Sequence, residues 1–200
     1  MSDRYQYYDT DYHGNKLIYE PYRASQSFVT TGAYTLEYVT LGLYYYNAAN
    51  TIYVEIYLAD ANHKPTGAAL VSKILSSGVP ASAPAGVAGY TQLVFDPTLD
   101  LDASTEYCIV LRGNTSYNYG HPRWQYGGTG EYSAGVGCSS TDSGANWTAQ
   151  TYDFGFECWG SPIGGGWGNI AKVNGITATN LAKVRGIAVA SIAKRRGIAV

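Results

Sequence analysis

Long apolar runs are missing from this chain of 200 residues. No window is long and apolar enough to span a bilayer, so we expect no membrane span. The first residues, Met1-Ser2-Asp3-Arg4, begin no apolar stretch either, which predicts a protein made in a cytoplasm without a signal peptide of the usual form. Such a protein can still act outside the cell if it leaves by lysis within a particle.

Motifs that carry catalysis or bind cofactors are also missing. The chain contains neither G-x-S-x-G nor H-E-x-x-H, and its histidines, His13, His63 and His121, are scattered among predicted loops. Asp96, Asp100 and Asp102 have part of a calcium-loop spacing but lack the remaining ligands, which favours a solvated turn. We therefore expect no enzyme, no metal site and no cofactor.

The chain has only three cysteines, an odd number. Cys108 lies in an apolar strand pattern and is interpreted as a small buried hydrophobic residue. Cys138 and Cys158 could pair, but their spacing does not decide it, and no zinc-binding spacing exists.

The body of the chain instead shows period-two alternation of apolar and polar residues, in segments bounded by Gly, Pro, Asn and Asp. It is clearest at 34–44 and 51–58, and a strong apolar run at 105–111 reads as a central strand. A turn is expected where Asp96-Pro97 follows the strand at 90–95. No amphipathic helix pattern occurs. The pattern predicts an all-β protein, an antiparallel β-sandwich of jelly-roll-like type.

A repeat with a period of eleven residues occurs three times at the C-terminal end, over residues 169–179 and 180–190 and, as a copy of ten residues, over 191–200. Each copy has Ile or Leu, then Ala-Lys, then Gly-Ile, at fixed offsets. The matched residues are Ile170, Lys172, Gly175, Ile176, Leu181, Lys183, Gly186, Ile187, Ile192, Lys194, Gly197 and Ile198. The first copy predicts a short strand, a tight Asn-Gly turn and a return strand. One copy cannot bury its own apolar face, so we expect the copies to stack on each other, on other chains or on a host surface. A flexible basic tail is the alternative.

Charge is divided unevenly along the chain. Residues 1–160 contain fifteen acidic and seven basic side chains, a net charge of −8, whereas residues 161–200 contain six basic side chains and no acid, a net charge of +6. The lysines recur once per copy between apolar positions, which suits the solvent face of a strand and does not lead us to expect nucleic acid as a partner. An acidic body is a natural electrostatic partner for such a tail.

A glycine-rich stretch at 113–139 concentrates aromatic and planar polar side chains. It contributes the candidate binding residues Tyr117, Tyr119, His121, Arg123, Trp124, Tyr126 and Tyr132. Aromatic residues of this kind are favoured at protein interfaces because they bring contact area at low entropic cost, and flat rings also stack on sugar rings. Contact with another subunit or a host protein, glycan binding and plain loop packing therefore all remain open.

Three features of the sequence resemble known proteins. The first is a resemblance to a β-sandwich module found beside anchoring segments in surface and phage proteins. It is carried by Ser25-Gln26-Ser27-Phe28, Tyr34-Thr35-Leu36, the hairpin at 56–70, the run Thr105-Glu106-Tyr107-Cys108-Ile109-Val110-Leu111 and Phe154-Gly155-Phe156-Glu157. The Ile-Ala-Lys-Val-Asn-Gly-Ile repeat is similar to tails of phage fibre and virion proteins. Ser140-Thr141-Asp142-Ser143-Gly144-Ala145-Asn146-Trp147 fits the Asp-box pattern of sialidases, which implies a β-turn in which Asp142 and Gly144 shape the loop and Trp147 packs beneath it.

These observations predict four parts: a tyrosine-rich N-terminal arm or edge strand at 1–24, a β-sandwich at 25–160, a glycine-rich hinge at 161–168 and the repeats at 169–200. The resemblances imply a structural protein of a virion or extracellular particle surface, a fibre or decoration component. It would form a homo-oligomer, with a trimer favoured, or bind other virion proteins through its repeats. The alternative is a carbohydrate-binding adhesion module that contacts host glycans and is anchored by its tail.

Overall fold

A computed structural model describes residues 2–9, 12–44, 51–76, 90–114 and 121–163, together with the backbone of residues 172–173 and 176–177. These described residues form fifteen strands and no helix. The first eight are β1 (Asp3–Tyr8), β2 (Gly14–Leu17), β3 (Arg23–Val29), β4 (Tyr34–Tyr44), β5 (Ile52–Ala59), β6 (Pro65–Leu75), β7 (Tyr90–Leu101) and β8 (Glu106–Gly113). The others are β9 (Arg123–Thr129), β10 (Gly137–Ser140), β11 (Thr148–Ala149), β12 (Tyr152–Phe154), β13 (Phe156–Pro162), β14 (Lys172–Val173) and β15 (Ile176–Thr177).

The body, Met1–Ile163, consists of two antiparallel sheets packed against each other. The first sheet has the order β1-β13-β4-β9-β12, with β7 also paired to β4 and β2 to β9. The second sheet has the order β11-β10-β3-β8-β5-β6. The predicted all-β antiparallel sandwich is confirmed.

Alternation along the strands builds the core. In β4, the side chains of Leu36, Val39 and Leu41 have no exposed surface, and in β5 the same is true of Ile52, Val54 and Ile56, at every second position. Because successive side chains of a strand point to opposite faces, each sheet directs one apolar face towards the other sheet. Phe28, Trp124, Phe154 and Phe156 fill the space between them.

Two strands within the predicted N-terminal segment 1–24, β1 and β2, belong to the first sheet. β1 pairs with β13, placing Asp3 opposite Gly160 and Tyr8 opposite Phe156, and β2 pairs with β9. The sequence left open whether this segment is an arm or an edge strand. The structure shows an edge strand, β1, followed by the short strand β2. Tyr8 is buried against the core, which explains why a tyrosine-rich segment joins the sandwich.

The prediction of a turn at Asp96-Pro97 is wrong. β7 continues through these residues to Leu101, and its pairing with β4 shifts from Tyr38↔Val94 to Leu36↔Leu99. The extra residues of β7 form an irregularity in the ladder and not a chain reversal. Proline is tolerated there because β7 pairs only with β4 among the described strands, so that its other edge needs no backbone donor.

Candidate functional site

Trp124, the largest of the predicted binding residues, lies in the core. Its side chain has no exposed surface, its ring stacks on Phe154 with centroids 4.5 Å apart, and its Nε1–H donates to the carbonyl of Gly155 at 2.8 Å. His121 is 1% exposed. Both side chains are thus buried in this fold, whereas the sequence placed them in an open aromatic loop.

The neighbouring residues of β9 are held by the strands beside it. Arg123 Nη1 donates to Asn15 Oδ1 at 2.8 Å, across the pairing of β9 with β2. The ring of Tyr126 stacks on that of Tyr152 with centroids 3.8 Å apart, across the pairing with β12. Both side chains are partly exposed. Tyr117 and Tyr119 lie outside the described residues.

Tyr132, another member of this predicted set, lines a surface cleft. The cleft has a volume of about 320 Å³ and lies where the chain crosses from β9 in the first sheet to β10 in the second. Its lining comes from that crossing and from the β11–β12 connection, and consists of Thr129, Gly130, Tyr132, Ser133, Gly135, Val136, Gln150, Thr151 and Asp153. Sequence reasoning missed all of these except Tyr132.

Backbone packing fixes the inner wall of the cleft. Val136 N–H donates to Ser27 Oγ at 2.8 Å, and the amide of Val29 donates to Ala134 O at 3.1 Å, so the loop extends the β3 ladder. A Cβ at Gly135 would lie 1.9 Å from the carbonyl oxygen of Ser27, a distance that no side chain tolerates. The loop can approach β3 this closely only because residue 135 is glycine.

A buried carboxylate forms the base of the cleft. Asp153 Oδ1 accepts from Gln26 Nε2 at 3.2 Å and Oδ2 accepts from the amide of Tyr132 at 3.1 Å. Burial raises the pKa of Asp153, although these two hydrogen bonds lower it in part. Nearby, Glu131 accepts a hydrogen bond from the hydroxyl of Tyr8, which lowers the pKa of Glu131. Both carboxylates are thus engaged in holding the loop.

The cleft offers hydroxyl groups, an amide, a phenol ring and backbone groups, with its one carboxylate held beneath the loop. This composition suits a small neutral molecule that carries hydroxyl groups. Among the described residues, no group of three or more His, Cys, Asp or Glu side chains is arranged to hold a metal ion.

The residues of the predicted Asp box form the turn between β10 and β11. Asp142 Oδ1 accepts from the amide of Asn146 at 2.8 Å and from the hydroxyl of Ser140 at 2.8 Å, while the amide of Gly144 donates to Ser140 Oγ at 2.9 Å. Asn146 Nδ2 also donates to Asp142 Oδ2 at 2.6 Å, and this bond, together with those from the Asn146 amide and the Ser140 hydroxyl, lowers the pKa of Asp142 to about 2. Gly144 has a φ of +87°, and a Cβ there would lie 3.6 Å from Cζ2 of the partly exposed Trp147.

The first repeat copy contains a strand pair. β14 and β15 are antiparallel, with Lys172 opposite Thr177 and Val173 opposite Ile176. Two residues, at 174 and 175, separate the strands, which is the loop length of the tightest hairpins. These residues, Gly175 among them, lie outside the described residues, as do Ile170 and all matched positions of the second and third copies.

All three cysteines are free thiols and are buried. Cys138 lies on β10 and Cys158 on β13, which belong to different sheets. Burial raises the pKa of the Cys138 thiol to about 11, and it raises the pKa of Cys108 and Cys158 as well. Such thiols are poor nucleophiles.

Comparisons with known proteins give no match, neither to a model of a protein family nor to a curated protein. In the described part of the chain, no helix has the length and apolarity that crossing a membrane requires.

Proposed function

We propose that this chain is a structural protein of a phage-like particle, such as a fibre or decoration component, which assembles through its C-terminal repeats. One observation carries the proposal: three matched copies of an eleven-residue unit end the chain, and the first contains an antiparallel strand pair, β14 and β15. A two-stranded unit of this size is not stable alone in water. It gains stability when its apolar residues pack against further copies.

Charge supports association as well. The repeats carry the six basic side chains of residues 161–200, and the body carries a net charge of −8. Stacked lysines repel one another unless acidic groups or open solvent lie beside them. Association of several chains brings acidic bodies and basic repeats to the same assembly, and the proposed homo-oligomer, with a trimer favoured, meets this requirement.

Removal of the repeats tests the proposal. We expect the full chain to have the mass of an oligomer in light scattering coupled to size exclusion, and a chain that ends at residue 168 to have the mass of a monomer. A matched control removes only residues 191–200 and leaves two copies, which should weaken the oligomer without abolishing it. An unchanged mass after loss of all three copies would refute assembly through the repeats. Electron micrographs of the purified oligomer would show whether it has the elongated form of a fibre.

A carbohydrate-binding adhesion module is the second candidate, and the cleft beside Tyr132 favours it. Hydroxyl and amide side chains at Thr129, Ser133, Gln150 and Thr151 surround one aromatic ring there. A screen of the full chain on a glycan array, repeated with Tyr132→Ala, tests this candidate. Binding that depends on Tyr132 would support it, and the absence of any glycan signal would rule this site out.

A further inference from the structure

A row of four side chains crosses the outer face of the first sheet. The strand register places Arg4 of β1 opposite Trp159 of β13, Trp159 opposite Tyr38 of β4, and Tyr38 opposite Val94 of β7. Four adjacent strands thus contribute one residue each. With strands spaced about 4.8 Å apart, the row is about 14 Å long.

The burial of the neighbouring residues shows which way the row faces. Cys158, Val39 and Leu93 form the adjacent cross-strand row and are 0%, 0% and 1% exposed, so they point into the core. Side chains one position along each strand point to the opposite face. Val94 is accordingly 49% exposed, and the rings of Tyr38 and Trp159 are partly exposed.

The two rings at the centre of the row are nearly parallel. Their centroids are 5.7 Å apart and their planes differ by 11°. The indole is fixed by its Nε1–H, which donates to Glu157 Oε2 at 2.9 Å, and Arg4 Nη1 in turn donates to Glu157 Oε1 at 2.9 Å. A surface that is ordered before binding loses little conformational entropy when it meets a ligand.

Polar side chains border the row on both sides. Glu157, Thr40 and Gln92 form the cross-strand row on one side, and Ser161, Thr35 and Asp100 form one on the other. Thr35 Oγ1 donates to Asp100 Oδ1 at 2.6 Å. The face is thus a narrow aromatic strip between two lines of hydroxyl, amide and carboxylate groups.

This arrangement matches the surface of a sugar chain. A pyranose ring has apolar C–H faces that pack on aromatic rings and a rim of hydroxyls that form hydrogen bonds with flanking polar groups. Nucleic acid also stacks on aromatic rings, but it requires basic side chains to neutralise its phosphates. Here Asp100 and Glu157 are acidic, and the basic side chain of the row, Arg4, is paired with Asp9 and Glu157. A protein partner requires a broad apolar centre, and this strip is only one side chain wide.

We propose that the outer face of the first sheet binds a neutral polysaccharide. The rings of Trp159 and Tyr38 stack on each other, and the parts of this ring pair that remain exposed pack on the apolar face of a sugar unit. Thr40, Gln92, Thr35 and Asp100 form hydrogen bonds with the hydroxyls of the sugar chain. This site differs from the cleft beside Tyr132 and does not depend on assembly through the repeats. It makes the body a binding module even if the tail has another role.

Affinity electrophoresis of the full chain tests this inference. The probes are native gels that contain a soluble neutral polysaccharide, namely mixed-linkage β-glucan, xyloglucan, galactomannan or dextran, with alginate as an acidic comparison. We expect at least one neutral polymer to retard the protein and Trp159→Ala to weaken that binding by at least about tenfold, as for a central contact residue. Trp159→Phe should retain part of the affinity. Trp147→Ala, which changes a partly exposed tryptophan on the β10–β11 turn, is the matched control and should bind as the unchanged chain does.

Each outcome decides the inference, provided that thermal unfolding shows the variants to be folded. Retardation by none of the neutral polymers, or retardation that survives Trp159→Ala, overturns it. Stronger retardation by alginate than by the neutral polymers overturns the charge argument. If Trp159→Ala instead lowers the mass in solution without affecting polymer binding, the face is a contact between copies of the chain. Loss of binding in Tyr132→Ala but not in Trp159→Ala would assign the sugar to the cleft.

Discussion

Gln26 of β3 and Asp153 of β12 connect the two sheets of the sandwich through a buried hydrogen bond of 3.2 Å from Gln26 Nε2 to Asp153 Oδ1. Gln26 Oε1 accepts a hydrogen bond from the backbone N–H of Phe154 at 2.7 Å, and Gln26 Nε2 also donates to the carbonyl of Ser27. One side chain therefore completes the hydrogen bonding of a carboxylate and a backbone amide that are both shielded from water. Buried polar groups that lose a partner are costly, which makes this pair a sensitive point of the fold.

We expect Gln26→Ala to lower the free energy of unfolding. The substitution leaves the amide of Phe154 and one side of the Asp153 carboxylate without partners, and each buried group left unsatisfied costs about 1–3 kcal/mol. Equilibrium unfolding in urea at neutral pH, followed by tryptophan fluorescence, measures the loss.

Gln92→Ala is the matched control for this measurement. Gln92 is an exposed glutamine on β7, and a surface substitution of this kind changes stability by within about 0.5 kcal/mol. Equal losses in the two variants would mean that the amide of Gln26 contributes nothing specific between the sheets.

Asp153 should make stability decrease as pH rises. Burial holds the pKa of Asp153 above its ordinary value of 3.8, so the folded state binds this proton more tightly than the unfolded state does. The stabilisation is therefore complete below pH 3.8 and is lost as the pH rises through the raised pKa of the folded state. We expect the stability of the unchanged chain relative to Asp153→Asn to fall with pH across this range, measured by urea unfolding at several pH values. A difference that is constant or that grows with pH would contradict the burial argument.

The sequence predicted the architecture well because alternation is a local property. In β4 and β5, the predicted and observed strands agree to within a residue or two, since alternation of buried and partly exposed side chains begins both strands. Which strands become neighbours is not a local property: the pairing of β1 with β13 joins residues more than 140 positions apart. The edge-strand alternative for residues 1–24 could therefore be named from the sequence, but its partner could not.

The candidate site was predicted less well, and the reason lies in β9. The glycines of 113–139 suggested an open aromatic loop, yet Trp124 occupies an inward position of a strand that pairs with both β2 and β12. Gly127 and Gly128 lie within that strand, although the sequence pattern predicted a loop there. The sugar-binding face proposed on the first sheet was also hidden from the sequence, because Tyr38 and Trp159 become neighbours only through the β4–β13 register.

Asp142 should make the β10–β11 turn sensitive to acid, in the opposite sense to Asp153. Hydrogen bonds from the side chain and amide of Asn146 and from Ser140 lower the pKa of Asp142 to about 2, below its ordinary value of 3.8. The resulting stabilisation is present above pH 3.8 and is lost as the pH falls towards 2. We expect Asp142→Ala to remove this acid-dependent loss, and an NMR titration of the Asp142 carboxyl carbon to give its midpoint directly. A midpoint near 3.8 would show that the turn bonds do not favour the ionised form.

Trp124→Ala should destabilise the sandwich without revealing anything about a ligand. The buried indole stacks on Phe154 and donates to the carbonyl of Gly155, and truncation of a buried tryptophan costs about 3–5 kcal/mol. Trp147→Ala, at a partly exposed site, should change stability by only about 1 kcal/mol or less. Urea unfolding of both variants compares the two tryptophans directly. A glycan-binding defect in Trp124→Ala would follow from loss of folded protein. Binding at the two proposed sugar sites therefore has to be tested at Tyr132 and at Trp159. Equal stability of the Trp124→Ala and Trp147→Ala variants would contradict the position of Trp124 in the core.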